Sequence, residues 1–239
     1  MSIASKSPIF IAEIKTKSPF GYNSKESFHK LMELAIENGD WISVHDNALW
    51  GGDYDSISFV RKHTDKPILA KGIHGTDDSI RMALEHGADY VLVVGRVPDS
   101  EPLKKYCLFE APLDYSKLTN TDKIVFNSRD LSTGEINATW VNGEITDFKK
   151  NKYEFICQAS GISHINQVHP EADAFIVGQH LRKFVSSKNR LNPTPILKSN
   201  STDMEKFIKS MNNAYKKSLQ NNKPYNPPTV DPWEDDCPF

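Results

Sequence analysis

The sequence predicts an α/β fold, a (β/α)8 TIM barrel with a shortened N-terminus. Three observations predict it. Eight short apolar runs recur in order between residue 8 and about residue 184. The early runs are each followed by a helical stretch, which implies parallel strands joined by crossovers. Several runs end in a charged or polar residue, at the strand ends where this fold carries its chemistry.

The elements follow in chain order. Ile9-Phe10-Ile11-Ala12-Glu13-Ile14 reads as a buried strand, left at the turn Ser18-Pro19. Glu13 and Lys15 lie two apart and so project to the same side. A carboxylate and an ammonium are costly to hold there, either as a structural ion pair or as part of a site. The strand-end pattern of the rest of the chain favours a site. Ser24 to Asn38 reads as a helix with Phe28, Leu31, Leu34 and Ala35 on one face, closed by Gly39. Trp41 to His45 is a second strand, and Asp53 to His63 a second helix. Pro67 to Lys71 is a third strand, and Asp77 to His86 a third helix closed by Gly87. Tyr90 to Val94 is a fourth strand, ended by Gly95.

The middle is less regular. Ser100 to Lys105 offers a helical turn at most. Tyr106 to Glu110 reads as a fifth strand ending in a carboxylate, and Lys123 to Asn127 as a sixth ending in an amide. Asn142-Gly143 between Ala138–Val141 and Glu144–Asp147 is a strong hairpin signal, and it predicts a hairpin where a helix is due. Tyr153 to Ala159 is a seventh strand leading into Ser160-Gly161-Ile162. Ala174 to Val177 is the eighth, leading into Gly178 and a helix through Phe184. The barrel is therefore assigned to residues 1–189 and a loop and amphipathic helix to 190–220, with Met204, Phe207, Ile208 and Met211 on one face. Residues 221–239 form a proline-rich, disordered acidic tail.

The 239 residues suit one large domain. A net charge of -2 gives no general attraction to nucleic acid or an anionic membrane. No apolar run is long enough for a bilayer, and the start of the chain is strand-like rather than a signal peptide. Cys107, Cys157 and Cys237 make neither a metal spacing nor a disulfide framework, which points to a reducing cytoplasm.

The strand-end residues Glu13, Lys15, Lys71, Glu110, Asn127 and Ser160 come from five strands and converge on one mouth. Two carboxylates and two lysines in one water-poor pocket shift one another's proton affinities, as acid–base chemistry requires. Ser160-Gly161 alone is an ordinary turn. At the ends of strands seven and eight, with Gly178, it suits a phosphate. These residues predict acid–base chemistry on a small phosphorylated metabolite, without metal or dinucleotide cofactor.

At these residues the sequence resembles the indole-3-glycerol phosphate synthase family. Ile11-Ala12-Glu13-Ile14-Lys15-Thr16-Lys17-Ser18-Pro19 is similar to its first-strand motif, and Pro67-Ile68-Leu69-Ala70-Lys71 to its third strand. Asn127-Ser128-Arg129-Asp130-Leu131 is close to its sixth-strand signature. Ser160-Gly161-Ile162, Val177-Gly178 and Leu181-Arg182 resemble its phosphate end, and Ile42-Ser43-Val44 with Trp50-Gly51-Gly52 its second strand and loop.

The resemblance implies roles. Lys71 is the general acid at the sugar carbonyl and Glu110 the facing base. Lys15, oriented by Glu13, holds the anthranilate carboxylate or acts as a second acid. Asn127 binds substrate hydroxyls. Ser18, Gly161 and Gly178 cradle the phosphate, while Trp50 and Leu131 pack on the aryl ring. Arg129 and Ser160 belong to the same constellation. The implied reaction closes a carboxyphenylamino-deoxyribulose phosphate to indole glycerol phosphate, with loss of carbon dioxide and water, in tryptophan biosynthesis.

The sequence also departs from the family. About eight residues precede the first strand, where the family has a helical segment. The family's Lys-Asp-Phe is Lys71-Gly72-Ile73, and its Ser-Glu-Ser-Gly is Gln158-Ala159-Ser160-Gly161.

The last residues, Glu234-Asp235-Asp236-Cys237-Pro238-Phe239, resemble the acidic tip of bacterial single-stranded-DNA-binding proteins. That resemblance implies a protein partner reached through Glu234, Asp235, Asp236, Pro238 and Phe239. It supports an alternative in which a non-catalytic or re-purposed barrel docks on replication or repair proteins. The barrel carries no basic stripe for nucleic acid itself.

Overall fold

The computed structural model describes residues 7–110, 115–150 and 153–191. The segment from residue 192 onward, with the amphipathic helix expected within 190–220 and the tail, lies outside the described residues.

Eight parallel strands close in chain order into a barrel. They are β1 (Ile9–Ile14), β2 (Trp41–His45), β3 (Ile68–Lys71), β4 (Tyr90–Val94), β5 (Cys107–Glu110), β6 (Lys123–Asn127), β7 (Phe155–Ala159) and β8 (Ala174–Val177). Closure is made by β1 against β8, with Ile11 opposite Ile176. Five α-helices lie among the described residues: α1 (Phe28–Asn38), α2 (Tyr54–Arg61), α3 (Asp77–Glu85), α4 (Ala138–Lys150) and α5 (Leu181–Leu191). Short 3-10 segments stand between β4 and β5 and between β5 and β6.

Residue alternation along each strand makes two cores. One side faces the helices: Phe10, Ala12, Ile42, Val44, Val91, Phe109 and Phe126 pack there with Leu31, Ile57, Ile80 and Phe184. The other side fills the barrel with Ile11, Leu69, Leu92, Leu108, Val125, Cys157, Ala174 and Ile176. Burying each large side chain contributes about 1.5–3 kcal/mol. Trp41 stacks on Tyr90 at 4.5 Å within the same inner layer. The next inward residues, toward the C-terminal strand ends, are the polar ones, so the pleat itself aims Glu13, His45, Lys71, Glu110 and Asn127 into the mouth.

Local signals set the helix starts. Asp53 and Thr76 cap α2 and α3 with capping boxes, and Ser27 accepts from the Lys30 N–H at the start of α1. Helix α1 therefore begins at Phe28, later than the sequence pattern suggested. Helix α5 continues past Phe184 through Leu191, into the segment read as loop.

The hairpin expected at Ala138 to Asp147 is a helix, α4. Val141 and Ile145 are both fully buried, and Phe148 packs on Phe126 at 4.9 Å. Spacings of four and three put these residues on one helical face. Asn142 and Gly143 fall on the exposed face, where Gly143 meets nothing within 4 Å. Parallel β6 and β7 need a crossover, which a two-residue hairpin turn cannot supply. Topology outweighs the local turn signal here.

Among the described residues, no helix is long and apolar enough to cross a membrane.

Candidate active site

Glu13 is the hub of the mouth. Its Oε2 lies 3.0 Å from Lys71 Nζ, and its Oε1 lies 3.4 Å from Lys15 Nζ and 2.6 Å from His45 Nε2. All four side chains are buried. Gly178, at the end of β8, makes room for this carboxylate: a Cβ there would sit 2.6 Å from Glu13 Cδ. A second pair lies across the mouth, where Asn127 Nδ2 donates to Glu110 Oε1 at 2.9 Å. Glu110 Oε2 is buried and has no hydrogen-bond partner.

The charges respond to this packing. Burial opposes ionisation of Glu13, but Lys15, Lys71 and His45 outweigh it and hold the carboxyl well below its ordinary range. Burial pushes Lys15 down, only partly offset by Glu13. Burial also pushes against Lys71, yet the charges of Glu13 and Glu110 raise it, so its ammonium persists. Burial raises Glu110 despite the pull of Lys71 and the Asn127 hydrogen bond. Burial pushes the His45 imidazole down, against the hydrogen bond and charge of Glu13. The site thus holds a secure cation, a lysine with lowered proton affinity and a carboxyl with raised proton affinity. Those are the ingredients of proton transfer.

Two adjoining clefts receive these groups. The first is lined by Lys15, Lys71, Glu110 and Asn127, with Trp50, Ile73, Leu92, Val94 and Leu131 as apolar walls. Trp50 stacks on His45 at 5.4 Å and lies 4.8 Å from Lys15 Nζ. A flat apolar wall with a cation beside it suits an aromatic carboxylate. The second cleft is lined by Lys15, Arg129, Ser160, Gly161, Gly178, Gln179 and His180, just before α5. Two cations beside glycine backbone at a helix N-terminus suit an anion such as phosphate. Ser160 and Gly161 both have left-handed backbone, with φ of 66° and 71°. Ser128 holds that turn by donating from Oγ to the carbonyls of Ala159 and Ser160 at 3.1 and 3.0 Å.

The structure brings together Glu13, Lys15, Lys71, Glu110, Asn127, Ser160, Trp50, Arg129, Leu131, Gly161 and Gly178 around these clefts. Ser18 is not among the lining residues. Its Oγ accepts from the Phe20 N–H at 3.2 Å, and its own N–H donates to the Tyr22 carbonyl, so it shapes the loop after β1. His45 is the residue the sequence reading passed over, although it too is a polar residue at a strand end. Beside it, Asp46 accepts from His74 Nε2 at 2.7 Å, fixing the loop after β3. Among the described residues, no group of three or more His, Cys, Asp or Glu side chains is placed to hold a metal ion.

Residues 1–192 match the family model for indole-3-glycerol phosphate synthase. Similar proteins include the indole-3-glycerol phosphate synthase of Aliarcobacter butzleri (strain RM4018), 29% identical over 204 residues and covering 76% of each chain. That of Sulfurisphaera tokodaii is 28% identical over 193 residues, covering 72% of this chain and 78% of the relative. Among solved structures, KGPDC from Streptococcus mutans superposes with a TM-score of 0.52 at 13% identity. The match covers 78% of this chain and 100% of that one, and it supports the barrel fold alone.

Proposed function

Because this chain belongs to the indole-3-glycerol phosphate synthase family, we propose that its barrel mouth carries out the family's decarboxylating ring closure in tryptophan biosynthesis. The protein is a carbon–carbon lyase in this reading. A carboxyphenylamino-deoxyribulose phosphate closes to indole glycerol phosphate with loss of carbon dioxide and water. The observation that carries the reading is one cleft in which the Glu13–Lys71 pair meets the Glu110–Asn127 pair.

Lys71 protonates the sugar carbonyl oxygen as the aryl carbon adds to the carbonyl carbon. Its persistent ammonium suits that step. Glu110, with raised affinity and one unpartnered oxygen, takes up the proton released as the new ring aromatises. Lys15 holds the substrate carboxylate or serves as a second acid for the departing hydroxyl. Asn127 orients sugar hydroxyls, while Arg129, Ser160, Gly161 and Gly178 face the phosphate. Trp50 and Leu131 flank the aryl ring. Ser18 acts on the phosphate only through the loop that it shapes. The free, buried thiols of Cys107 and Cys157 support a reducing cytoplasm as the working compartment.

The test is an assay following indole glycerol phosphate fluorescence, with binding of a reduced substrate analogue measured in parallel. Product formation by the wild-type protein supports the reading. The absence of both turnover and binding overturns it.

We infer separately that the tip Glu234, Asp235, Asp236, Pro238 and Phe239 docks on a protein that reads such acidic, Phe-terminated ends. The support is the sequence of the tip alone. Deleting Phe239 should weaken a micromolar contact at least about tenfold. Equal binding with and without Phe239 overturns it.

A further inference from the structure

His45 lies in the mouth with both ring nitrogens engaged. Nε2 is 2.6 Å from Glu13 Oε1 and Nδ1 is 3.0 Å from the Lys71 carbonyl oxygen. Both oxygens are acceptors when Glu13 is ionised, so each contact needs a proton on the ring. A neutral imidazole carries only one. The shorter, charge-assisted contact to Glu13 has the stronger claim on it. One face of the ring stacks against Trp50 at an interplanar angle of 6°, which fixes the plane in which Nε2 points.

Glu13 has only two oxygens for three donors. Lys71 takes Oε2 at 3.0 Å, while Lys15 reaches Oε1 at 3.4 Å, a looser contact. Without His45, Oε1 would keep only that longer contact, and the carboxylate plane would be free to turn. Lys71 would then lose the oxygen that holds it. The charged groups facing the ring are Glu13 and Lys15 on the β1 side and Lys71 on β3, with Glu110 beyond Lys71.

We propose that His45 is a positioning residue for the ring closure: its Nε2–H donates to Glu13 Oε1 and holds that carboxylate where it serves both Lys15 and Lys71. The proposal rests on the ring-closure reading for its chemistry, but its geometry can be tested without turnover. At lower pH the ring takes a second proton on Nδ1, toward the Lys71 carbonyl, and brings a third cation beside Glu13. Proton uptake by His45 therefore puts an acid-side inflection into the pH profile of kcat.

The experiment has two arms. In the first, a long-range proton–nitrogen spectrum of the wild-type protein with labelled histidine reads the ring at neutral pH. The expected result is a protonated Nε2. A bare Nε2 with the proton on Nδ1 overturns the proposal, whatever the activity. In the second, His45→Leu and His45→Gln are compared by kcat, KM and pH profile after thermal melts confirm folding. Leu should lower kcat at least about tenfold with KM within about twofold. Gln still donates to Glu13 but does not titrate. It should restore most of kcat at neutral pH and remove the His45 inflection, leaving the acid limb that protonation of Glu110 sets.

A folded His45→Leu with wild-type kcat and profile overturns the proposal. So does a folded His45→Gln as impaired as Leu. If the Leu variant does not fold, the spectrum and the Gln profile decide. A wild type that forms no product overturns the ring-closure reading instead, and the spectrum still judges the His45 contact.

Discussion

Lys71 Nζ and Glu13 Oε2 lie 3.0 Å apart, on strands separated by β2, with both side chains buried. The pair bridges over β2 inside the mouth. That placement gives Glu13 a structural load as well as an electrostatic one, because among the described residues it alone pairs with Lys71 and Lys15 at contact distance, and it also engages the His45 ring.

Glu13→Gln should therefore destabilise the barrel by roughly 3–5 kcal/mol at neutral pH, the cost of leaving buried charges unpaired. Urea unfolding measures it. The pH dependence carries the sign. In the wild type Lys71 is raised, so its contribution is complete below the unfolded lysine value, about 10.4, and is lost as pH rises through the folded one. In the variant Lys71 has lost the stronger of its two raising charges and is depressed by burial. Its folded form sheds the proton first, and stability rises with pH toward that same value. A variant whose deficit stays constant from neutral to alkaline pH would show that the pair is not the cause.

Lys71→Met should lower turnover at least about a hundredfold, the scale of a lost general acid. Fluorescence of the indole product follows it. KM should move far less than kcat if Lys71 acts on the carbonyl oxygen in the transition state rather than in binding. A rise in KM at unchanged kcat would make Lys71 a binding group.

Glu110 separates function from stability. Burial raises its proton affinity, so its contribution is fully present below the unfolded carboxyl value, about 4.3, and is lost as pH rises through the folded one. At neutral pH an ionised Glu110 is a net cost. Glu110→Gln keeps the oxygen that accepts from Asn127 and removes that cost. Activity should fall at least about a hundredfold. The unfolding midpoint at pH 7 should be unchanged or higher, with the difference shrinking toward pH 4. A variant that is both inactive and markedly less stable at pH 7 would place Glu110 among the structural groups.

The barrel was legible because a parallel barrel buries both faces of its strands, so each appears as a short apolar run, from Ile9–Ile14 to Ala174–Val177. The site was legible at residues that end strands in charge, such as Lys71 and Glu110. Helix α4 was misread because Asn142-Gly143 is a local signal, whereas the burial of Val141 and Ile145 reports the neighbouring strands. His45 escaped because its importance lies in a contact across 32 residues, to Glu13. The strand-end rule that marked Lys71 also fits His45, and applying it to the second strand would have marked it. The different fate of Ser18 depended on the loop that Lys17 and Asn23 close by bridging, which strand periodicity does not encode.

Gly72, next to Lys71, sits under a steric constraint that predicts a coupling. A Cβ on Gly72 would stand 2.2 Å from Asp46 Oδ1 and 3.0 Å from His74 Cε1. Asp46 has little freedom to yield, because its side chain is buried against His74, whose Nδ1 lies 2.6 Å from the Leu92 carbonyl oxygen. An aspartate at 72 would add a second carboxylate in the same place. Gly72→Ala should therefore cost about 1–3 kcal/mol by overpacking. The cost should shrink in an Asp46→Ala background, which removes the obstructing oxygen. A double-mutant cycle from urea unfolding should return a coupling of about 0.5–3 kcal/mol. Strictly additive losses would mean that Asp46 moves aside at no cost, and that Gly72 is not held by the Asp46–His74 pair.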